Sequence, residues 1–454
     1  MAHLIGSWAP GQELRYHSSV FQALETGRPL ILVMESGVYP IQGGFQRLLQ
    51  EVSKPGVSMA YSWYDTRSKT AKPPAYNGDF TERFPAGPLR AYNRERLLNL
   101  DIEKFPRAWE YHARLVLEEK GHKPVLIEES LYFYAPEIGP RPDLARFVLK
   151  EPGAPANPFA DSFSYLRYDP ETEQEIKQAF FAMLKRRGAF LDERVKPHRE
   201  FPGGKGDYPV MATVLIPVRN RARFIGQAID SALNQEFDDY EVIVVDNDSE
   251  DETREVVRSF KDQRVRLIEN PMGSIAFALN TGLKHARGKY IIQLDSDDAL
   301  APDAIASMVR EMENDPGAGL AISYYQLCDE NMRPLKNGVV KHLEYDRNNI
   351  LRCEGAGAVR CWRKAVLDEI HGFNEKFGNY GEDYDAVLKV SERYRVNRVH
   401  KVLYFYRQHT GGQDSVQSPE QRHQAKTQIR IEALARRQEL LKKIEILGDT
   451  GSSI

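Results

Sequence analysis

The sequence has few cysteines and no long apolar segment. Its three cysteines, Cys328, Cys353 and Cys361, are an odd number without a CxxC pair, so the sequence indicates neither a disulfide framework nor a zinc site. No segment approaches the roughly eighteen consecutive apolar residues of a membrane span, and the N-terminus, MAHLIGSWAPGQEL, lacks the features of a signal peptide. We therefore expect a soluble cytoplasmic protein, at most peripheral at the inner face of a membrane.

The sequence also lacks a strong excess of charge of either sign. Its 62 lysines and arginines and 65 aspartates and glutamates give a formal net charge of −3, with 41% hydrophobic and 28% charged residues. This composition is ordinary for an enzyme and predicts neither nucleic-acid binding nor an acidic tail. A length of 454 residues predicts two or three packed domains.

A change in composition marks the middle of the chain. Prolines are frequent from 136 to 158, and HREFPGGKGDYP ends this region, where prolines and glycines interrupt regular elements. Between them, Ile176, Phe180 and Leu184 have helical spacing. The predicted organisation is an N-terminal domain at 1–135, a linker with a helix at 136–208, a main domain at 209–415, and a C-terminal helix and tail at 416–454.

Apolar strands alternate with helices in the main domain. Continuously apolar segments predict strands at 213–218, 241–246, 265–269 and 290–295. The segments between them have helical periodicity, as in ARFIGQAIDSALNQ. Strands without a polar face are typical of a parallel sheet covered by helices on both faces, so we predict an α/β domain with a mostly parallel sheet.

Polar residues follow three of these strands, where sheets of this kind bind their ligands. These residues are Arg219 and Asn220, then Asp246, Asn247 and Asp248, then Asp295, Asp297 and Asp298. We expect all of them to converge on one acidic crevice.

The segment LDSDD, residues 294–298, carries the most specific chemistry. It places Asp295 and Asp297 one residue apart at the end of a strand, close enough to share a hard divalent cation. The alternative is that Asp297 and Asp298 cap the helix that follows, because aspartate is a favoured cap residue.

Five motifs in order resemble those of glycosyltransferase family 2. They are PVRNRARF, VVDNDSED, NTGLKHARGKYIIQLDSDD, GEDYD and YRQH, within residues 211–415. The resemblance implies a GT-A fold, a nucleotide-diphosphate sugar donor, and a Mn²⁺ or Mg²⁺ ion bound by the DxD motif. It also implies inversion at the anomeric carbon by direct displacement.

The resemblance assigns the donor-binding residues. The residues implied to bind the donor are Pro217, Val218, Arg219, Asn220, Asp246, Asn247, Asn280, Asp295 and Ser296. The residues implied to coordinate the metal are Asp297, Asp295 and His409. Many family members have a second acid at the position of Asn247, so the identity of the base stays open, although an amide offers both a donor and an acceptor. The alternative for His409 is a structural role.

The resemblance assigns the acceptor side as well. Asp383 in GEDYD is the implied base that takes the proton of the acceptor hydroxyl, and its neighbour Glu382 is aimed at sugar hydroxyls. The alternative is that both acids favour the dipole of the helix they begin. Trp362 would stack on an acceptor sugar, with core packing as the alternative.

The N-terminal region resembles the second half of the main domain. GRPLILVMESGVYP parallels GKYIIQLDSDDALAP, GPLRAYNRERLLNL parallels GAVRCWRKAVLDEI, and LYFY occurs at 131–134 and 403–406. Glu35 stands near the DxD position, Glu137 at that of His409, and Glu110 aligns with Asp383. We predict a degenerate, non-catalytic copy that serves packing, dimerisation or acceptor binding.

The segment 418–447 predicts a long helix with a basic face. It either packs on its own domain or a second subunit, or touches an anionic membrane that holds a lipid-linked acceptor. If the helix packs on a second subunit, the protein would be a homodimer.

The sequence therefore predicts an inverting glycosyltransferase. It would move a sugar, with UDP the expected carrier, to a hydroxyl of a glycan, lipid-linked or protein acceptor, as in cell-envelope polysaccharide synthesis. One alternative is a nucleotidyltransferase, although PVRNRARF lacks the glycine-rich phosphate loop usual there. The other is a non-catalytic sugar-nucleotide-binding or scaffold protein.

Overall fold

The protein is divided into two compact units. A computed structural model describes residues 4–135, 166, 168–271, 273–409 and 418–450. The N-terminal unit contains residues 4–135 and 168–186, and the C-terminal unit contains residues 187–409 and 418–450. The proline-rich segment 136–158, predicted as part of a linker, lies outside the described residues.

The N-terminal unit is built on one sheet. Its elements are β1 (Leu4–Trp8), β2 (Arg15–His17), α1 (Val20–Glu25), β3 (Leu30–Met34), β4 (Val38–Pro40), α2 (Gly44–Val52), β5 (Val57–Asp65), β6 (Thr70–Ala71), β7 (Leu89–Asn93), α3 (Arg94–Leu97), α4 (Trp109–Glu119), β8 (Lys123–Tyr134) and α5 (Pro170–Arg186). In the described residues the strand order is β2, β1, β3, β7, β5, β8, β4, with β6 paired to β5.

Helix α5 belongs to this unit, although the sequence predicted it as part of a linker. The Phe180 ring stacks on Phe80 at 6.2 Å between centroids, and Arg186 Nε bonds to Glu119 Oε2 of α4 at 2.6 Å. The division between the units therefore falls between residues 186 and 187.

The C-terminal unit contains the predicted α/β domain. Its elements are β9 (Val210–Val218), α6 (Ile225–Leu233), β10 (Tyr240–Asn247), α7 (Thr253–Ser259), β11 (Val265–Asn270), α8 (Ile275–His285), β12 (Gly288–Gln293), β13 (Ala299–Leu300), α9 (Ala304–Asn314), β14 (Ala318–Cys328), β15 (Pro334–Val340), α10 (Ile350–Cys353), β16 (Arg360–Arg363), α11 (Lys364–Glu369), α12 (Glu382–Arg393), β17 (Arg395–Arg407) and α13 (Pro419–Thr450). Each predicted strand and the helix after it are present.

The sheet of this unit is parallel on one side and mixed on the other. Its order in the described residues is β11, β10, β9, β12, β16, β14, β17, β13, with β15 paired to β14. Strands β11, β10, β9 and β12 are parallel, whereas β16 is antiparallel to both of its neighbours. The predicted α/β fold is confirmed, but the sheet is mixed and not mostly parallel, because in the described residues four strand pairs are parallel and four are antiparallel.

Close packing explains two glycines beside the parallel strands. A Cβ at Gly282 of α8 would lie 2.1 Å from Leu215 Cδ1, and one at Gly288 would lie 2.5 Å from the backbone nitrogen of Thr213. Every residue of β10 is buried, as expected for a strand with helices on both faces. This packing determines the positions of the carboxyl ends of the strands. It therefore also determines the positions of the polar residues that follow the strands.

The predicted internal repeat is confirmed by topology. The N-terminal strands β3 to β8 occur in the same chain order and sheet positions as β12 to β17. The register also agrees, because Ile31 faces Tyr92 across β3 and β7 just as Ile291 faces Trp362 across β12 and β16. The N-terminal unit thus repeats the mixed half of the C-terminal sheet.

Helix α13 packs on its own unit, against the start of α12. Ile429 and Ala433 are fully buried, and a Cβ at Gly381 would lie 2.6 Å from Ile429 Cδ1. Of the two alternatives for the tail, packing on its own domain is therefore observed. Across the described part of the chain, no helix combines the length and the apolar character that crossing a membrane requires.

Candidate active site

One cleft, with a volume of about 370 Å³, opens at the carboxyl ends of β9, β10 and β12. The predicted residues that line it are Pro217, Val218, Arg219, Asn247, Asp295, Ser296, Asp297, Glu382, Asp383 and His409. The sheet brings the strand ends together, and α12 and the end of β17 supply the opposite wall. All of the predicted metal and base residues, and the predicted donor residues other than Asn220, Asp246 and Asn280, therefore line one cavity.

Asn220 and Asp246, predicted to bind the donor, do not line the cleft but lie at the carboxyl ends of β9 and β10 that form it. Asn220 has a positive φ of 51° and its Oδ1 accepts from the Glu250 backbone N–H at 2.8 Å. Asp246 Oδ2 accepts from Arg254 Nε at 2.7 Å, and Asp246 Oδ1 is buried with no hydrogen-bond partner among the described residues. One oxygen of this carboxylate therefore remains for a ligand hydroxyl.

Asn247 is held by a neighbouring amide. Its Oδ1 accepts from Asn270 Nδ2 at 3.0 Å, where Asn270 ends the adjacent strand β11. The bond fixes the orientation of the Asn247 side chain and directs its amide nitrogen away from Asn270. Asn247 lines the cleft and can therefore present a donor to a base.

Asp297 and His409 meet at the centre of the cleft. Asp297 Oδ2 lies 2.9 Å from His409 Nε2 and 3.2 Å from Arg221 Nε. Burial raises the pKa of Asp297, but the hydrogen bond with His409 and the charge of Arg221 outweigh it and hold the pKa below its ordinary value. Asp297 is therefore ionised at neutral pH. The sequence did not identify Arg221, which lies within PVRNRARF without a feature that separates it from the other arginines there.

Asp298 has a structural role, unlike the predicted ligand-binding roles of Asp295 and Asp297. Its Oδ1 accepts from the Arg407 backbone N–H at 2.7 Å, and Arg407 Nε donates to the Asp297 carbonyl at 2.5 Å. Burial, followed by the charges of Asp297 and Asp295, raises the pKa of Asp298 well above its ordinary value. Asp298 thus fastens the LDSDD turn to the end of β17.

The donor set at this point fits a hard divalent cation. A carboxylate oxygen and an imidazole nitrogen are ligands that Mn²⁺ accepts, and Mg²⁺ accepts the carboxylate. In the described part of the chain, no three His, Cys, Asp or Glu side chains are grouped to hold a metal by themselves. Further ligands would therefore have to come from substrate or water.

Asp383 and Glu382 stand at the first turn of α12. Asp383 Oδ2 lies 2.6 Å from Arg360 Nη2. The Glu382 side chain is buried, and its Oε2 has no hydrogen-bond partner among the described residues. Burial first, and then the charges of Asp383 and Asp295, raise the pKa of Glu382 well above its ordinary value. The two neighbours therefore differ in environment, because Asp383 forms a direct ion pair with Arg360 while the Glu382 carboxyl is buried.

Trp362 and Asn280 do not reach the cleft. Trp362 is 0% exposed in the centre of the sheet, and its Nε1 donates to Gln293 Oε1 at 3.4 Å. A ring without an exposed face cannot stack on a sugar, so its surroundings favour the core-packing alternative. Asn280 instead ties α8 to the loop at Phe373 through bonds of 2.8 Å in both directions.

The structure adds an acceptor-side wall that the sequence did not reveal. Glu354 lines the cleft with Lys426 and forms ion pairs with both Lys426 and Arg430 of α13. His342 lies on the same side, and burial lowers its pKa to about 3, so its ring is neutral. No periodicity or motif marks these residues, because their proximity depends on a helix from a distant part of the chain.

Comparison with known proteins agrees with this geometry. Residues 213–371 match the family model described as Glycosyl transferase family 2. The chain is 33% identical over 196 residues to a chondroitin synthase of Pasteurella multocida (strain Pm70), covering 43% of this chain and 20% of that protein. It is 31% identical over 196 residues to a chondroitin synthase of Escherichia coli, covering 43% and 28%.

The chain thus spans less than a third of the length of these two curated relatives. Among solved structures, S. aureus TarS 1–349 in complex with UDP-GlcNAc is similar with a TM-score of 0.40 and 19% identity, covering 52% of this chain and 71% of that one.

Proposed function

We propose that this chain, which contains a glycosyltransferase family 2 domain at residues 213–371, transfers a sugar from a nucleotide-diphosphate donor to a glycan hydroxyl with inversion at the anomeric carbon. One observation carries the proposal. Asp297 with His409 and Asp383 with Arg360 line the same cleft, so a phosphate-binding site and a base face one another across a cavity of sugar size.

The donor half is suited to a nucleotide diphosphate. Arg219 and Arg221 line the cleft beside Asp297 and can contact phosphate oxygens. A Mn²⁺ or Mg²⁺ ion held by Asp297 and His409 would act as a Lewis acid that stabilises the departing diphosphate. Asn247 and the unpartnered oxygen of Asp246 would orient the base and ribose.

The acceptor half is suited to direct displacement. Asp383 would accept the proton as the acceptor oxygen bonds to the anomeric carbon and the bond to the diphosphate breaks. Arg360 pairs with this carboxylate and orients it. Glu382, whose pKa burial raises well above its ordinary value, would in its protonated form donate a hydrogen bond to a sugar hydroxyl.

The relatives suggest the substrate class. Both are named chondroitin synthases, so we propose a UDP-sugar donor and a polysaccharide acceptor, with the cytoplasm as the compartment. Dimerisation and peripheral membrane contact through α13 stay proposals, and the exposed Ile446 of that helix is the residue with which to test the latter.

Thermal shift with nucleotides tests the donor site. UDP, GDP, ADP and CDP are added with and without Mn²⁺ to the wild type, Asp297→Asn and His409→Ala. We expect Mn²⁺-dependent stabilisation by UDP, about 2.7 kcal/mol at a hundredfold excess over Kd, that both variants lose. The control is Asp368→Asn, an exposed acid whose ion-pair partner within the described ranges is Lys364.

A transfer assay with chondroitin oligosaccharides and UDP-sugars then identifies the product, and NMR of the new linkage gives its anomeric configuration. Equal nucleotide responses in the wild type and Asp297→Asn, or retention of configuration, would overturn the proposal.

A further inference from the structure

The N-terminal unit retains one half of the cleft, residue by residue. Strand register defines the correspondence, because Arg90 faces Val33 across β7 and β3 as Arg360 faces Gln293 across β16 and β12. Applied to the other strands and to the first turns of α4 and α12, the register gives five pairs. They are Glu35 with Asp295, Tyr64 with Tyr325, Arg90 with Arg360, Glu110 with Asp383, and Tyr134 with Tyr406.

The ion pair within the retained half is also repeated. Arg90 Nε lies 2.5 Å from Glu110 Oε1, and Arg90 Nη2 lies 3.1 Å from Glu110 Oε2, which reproduces the pairing of Arg360 with Asp383. Tyr92, in the place of Trp362, donates its hydroxyl to Glu110 Oε1 at 2.7 Å. The N-terminal carboxylate is therefore held at least as firmly as the proposed base.

The aromatic wall is repeated as well. The rings of Tyr64 and Tyr134 lie 5.9 Å apart, and those of Tyr325 and Tyr406 lie 6.1 Å apart. Tyr134 donates its hydroxyl to Glu35. All five N-terminal residues are partly exposed, so hydroxyl groups, carboxylates and aromatic rings occur together near the surface, the combination that recognises sugars.

The donor half has no equivalent in this unit. Gly37 and Val38 occupy the register positions of Asp297 and Asp298. The outer neighbour of β3 is the antiparallel strand β1, whereas that of β12 is the parallel strand β9, which carries donor residues. The retained groups thus include none of those proposed to bind diphosphate or metal.

Packing alone does not require this selective retention. The side chains of Arg90 and Glu110 are 14% and 23% exposed, and a partly buried ion pair adds little stability over apolar residues of similar volume. An apolar pair would fill the same space. Binding of a saccharide by these partly exposed side chains supplies the reason for their polar character.

We propose that the N-terminal unit holds a second, non-catalytic saccharide site formed by Glu35, Tyr64, Arg90, Glu110 and Tyr134. Its ligand is a glycan of the kind used as acceptor by the C-terminal unit, an inference that rests on the proposed function. Vicinal hydroxyls of one sugar ring bond to Glu110 and Arg90, and the ring lies against the tyrosines. The site retains a growing or recipient chain without reacting with it.

Glycan binding by the full-length chain tests this site. The probes are a printed array of oligosaccharides, including unsulfated chondroitin and hyaluronan hexasaccharides, followed by calorimetry with the strongest binder. The proteins are the wild type, Arg90→Met, Arg360→Met and the double variant. We expect two binding sites in the wild type, one in each single variant and none in the double variant.

A second variant guards against misfolding. Glu35→Gln alters only the rim of the site and is expected to weaken binding there at least tenfold, with the thermal midpoint within a few degrees of wild type. Wild-type isotherms for both Arg90→Met and Glu35→Gln, or no glycan bound outside the C-terminal cleft, would overturn the proposal.

The two proposals fail differently. If only the N-terminal site is wrong, Mn²⁺-dependent nucleotide binding and sugar transfer persist while Arg90→Met changes no isotherm. If only the transferase function is wrong, the isotherm still loses a site in Arg90→Met although no donor is bound.

Discussion

The guanidinium of Arg360 and the carboxylate of Asp383 form an ion pair of 2.6 Å at the acceptor wall of the cleft. Arg360 ends the antiparallel strand β16 and Asp383 begins α12, so the pair depends on how these elements meet. Asp383 has this ion pair, whereas Glu382 is buried without an ion-pair partner among the described residues, and burial raises its pKa well above the ordinary value. This difference separates the proposed base from the proposed hydrogen-bond donor.

The first prediction concerns the base. Asp383→Asn is expected to lower kcat by about 10²- to 10⁴-fold, the usual contribution of a general base. The Kd of the donor should stay within about twofold, because Asp297 and His409 are unchanged. Steady-state kinetics and nucleotide titration measure both quantities.

Asp368→Asn is the matched control, since it makes the same chemical change at an exposed position paired with Lys364. A kcat for Asp383→Asn within a factor of about five of the control would remove Asp383 from the mechanism.

The second prediction concerns pH. The folded protein holds the proton of Glu382 more tightly than the unfolded chain, whose pKa is near 4.5. The stability that protonated Glu382 contributes to the folded state is therefore fully present below the pKa of the unfolded chain. It is lost as the pH rises through the raised pKa of the folded state. Glu382→Gln removes this loss, so the variant should become more stable than wild type as pH increases from 5 to 8.

Thermal midpoints across this range measure the effect, where about 1 kcal/mol corresponds to roughly 2–4 °C. The charges that face Glu382 are Asp383, Asp295 and Arg360, and none changes in the variant. Glu255→Gln makes the same chemical change at an exposed position. The difference between its thermal midpoint and that of wild type should not change with pH. A difference for Glu382→Gln that shrinks with pH would contradict the assigned shift.

The third prediction concerns the contact between α13 and the cleft. The Glu354 side chain is 7% exposed and pairs with Lys426 and Arg430. Glu354→Gln leaves two cations without their partner and is expected to cost about 3–5 kcal/mol, with a raised acceptor KM because Glu354 and Lys426 line the cleft. Chemical denaturation and kinetics provide the two readouts.

Lys376→Met breaks a second ion pair to the same helix, the one between Lys376 and Glu432. The Lys376 side chain is 58% exposed and the Glu432 side chain is 28% exposed. Its cost should be at most about 1 kcal/mol. If the two variants lose equal free energy of unfolding, the loss reflects weaker packing of the whole helix and not the removal of the buried ion pair.

The fourth prediction concerns Trp362. Trp362→Leu removes a fully buried ring that contacts Phe373 edge-on at 5.8 Å, and it is expected to cost about 2–4 kcal/mol. The acceptor KM should be unchanged below the new thermal midpoint. A raised KM with wild-type stability would restore the acceptor-stacking interpretation.

Local sequence patterns predicted the strands, the helices between them and the positions of LDSDD and GEDYD. They left open whether Trp362 stacks on a sugar or packs in the core, because an apolar strand does not reveal whether it lies at an edge or in the centre of a sheet. Antiparallel neighbours on both sides of β16 bury its ring. They also placed helix 170–186 in a linker, since helical spacing does not identify the surface on which a helix packs.

The sequence by itself determined the α/β architecture, the family resemblance and the internal repeat, because these depend on periodicity and on the order of motifs along the chain. Only the tertiary structure decided which charges meet: Arg221 with Asp297, Arg360 with Asp383, and Glu354 with Lys426. Such pairs join residues from separate elements. Their distances follow from how sheets and helices pack, and no local pattern records that packing.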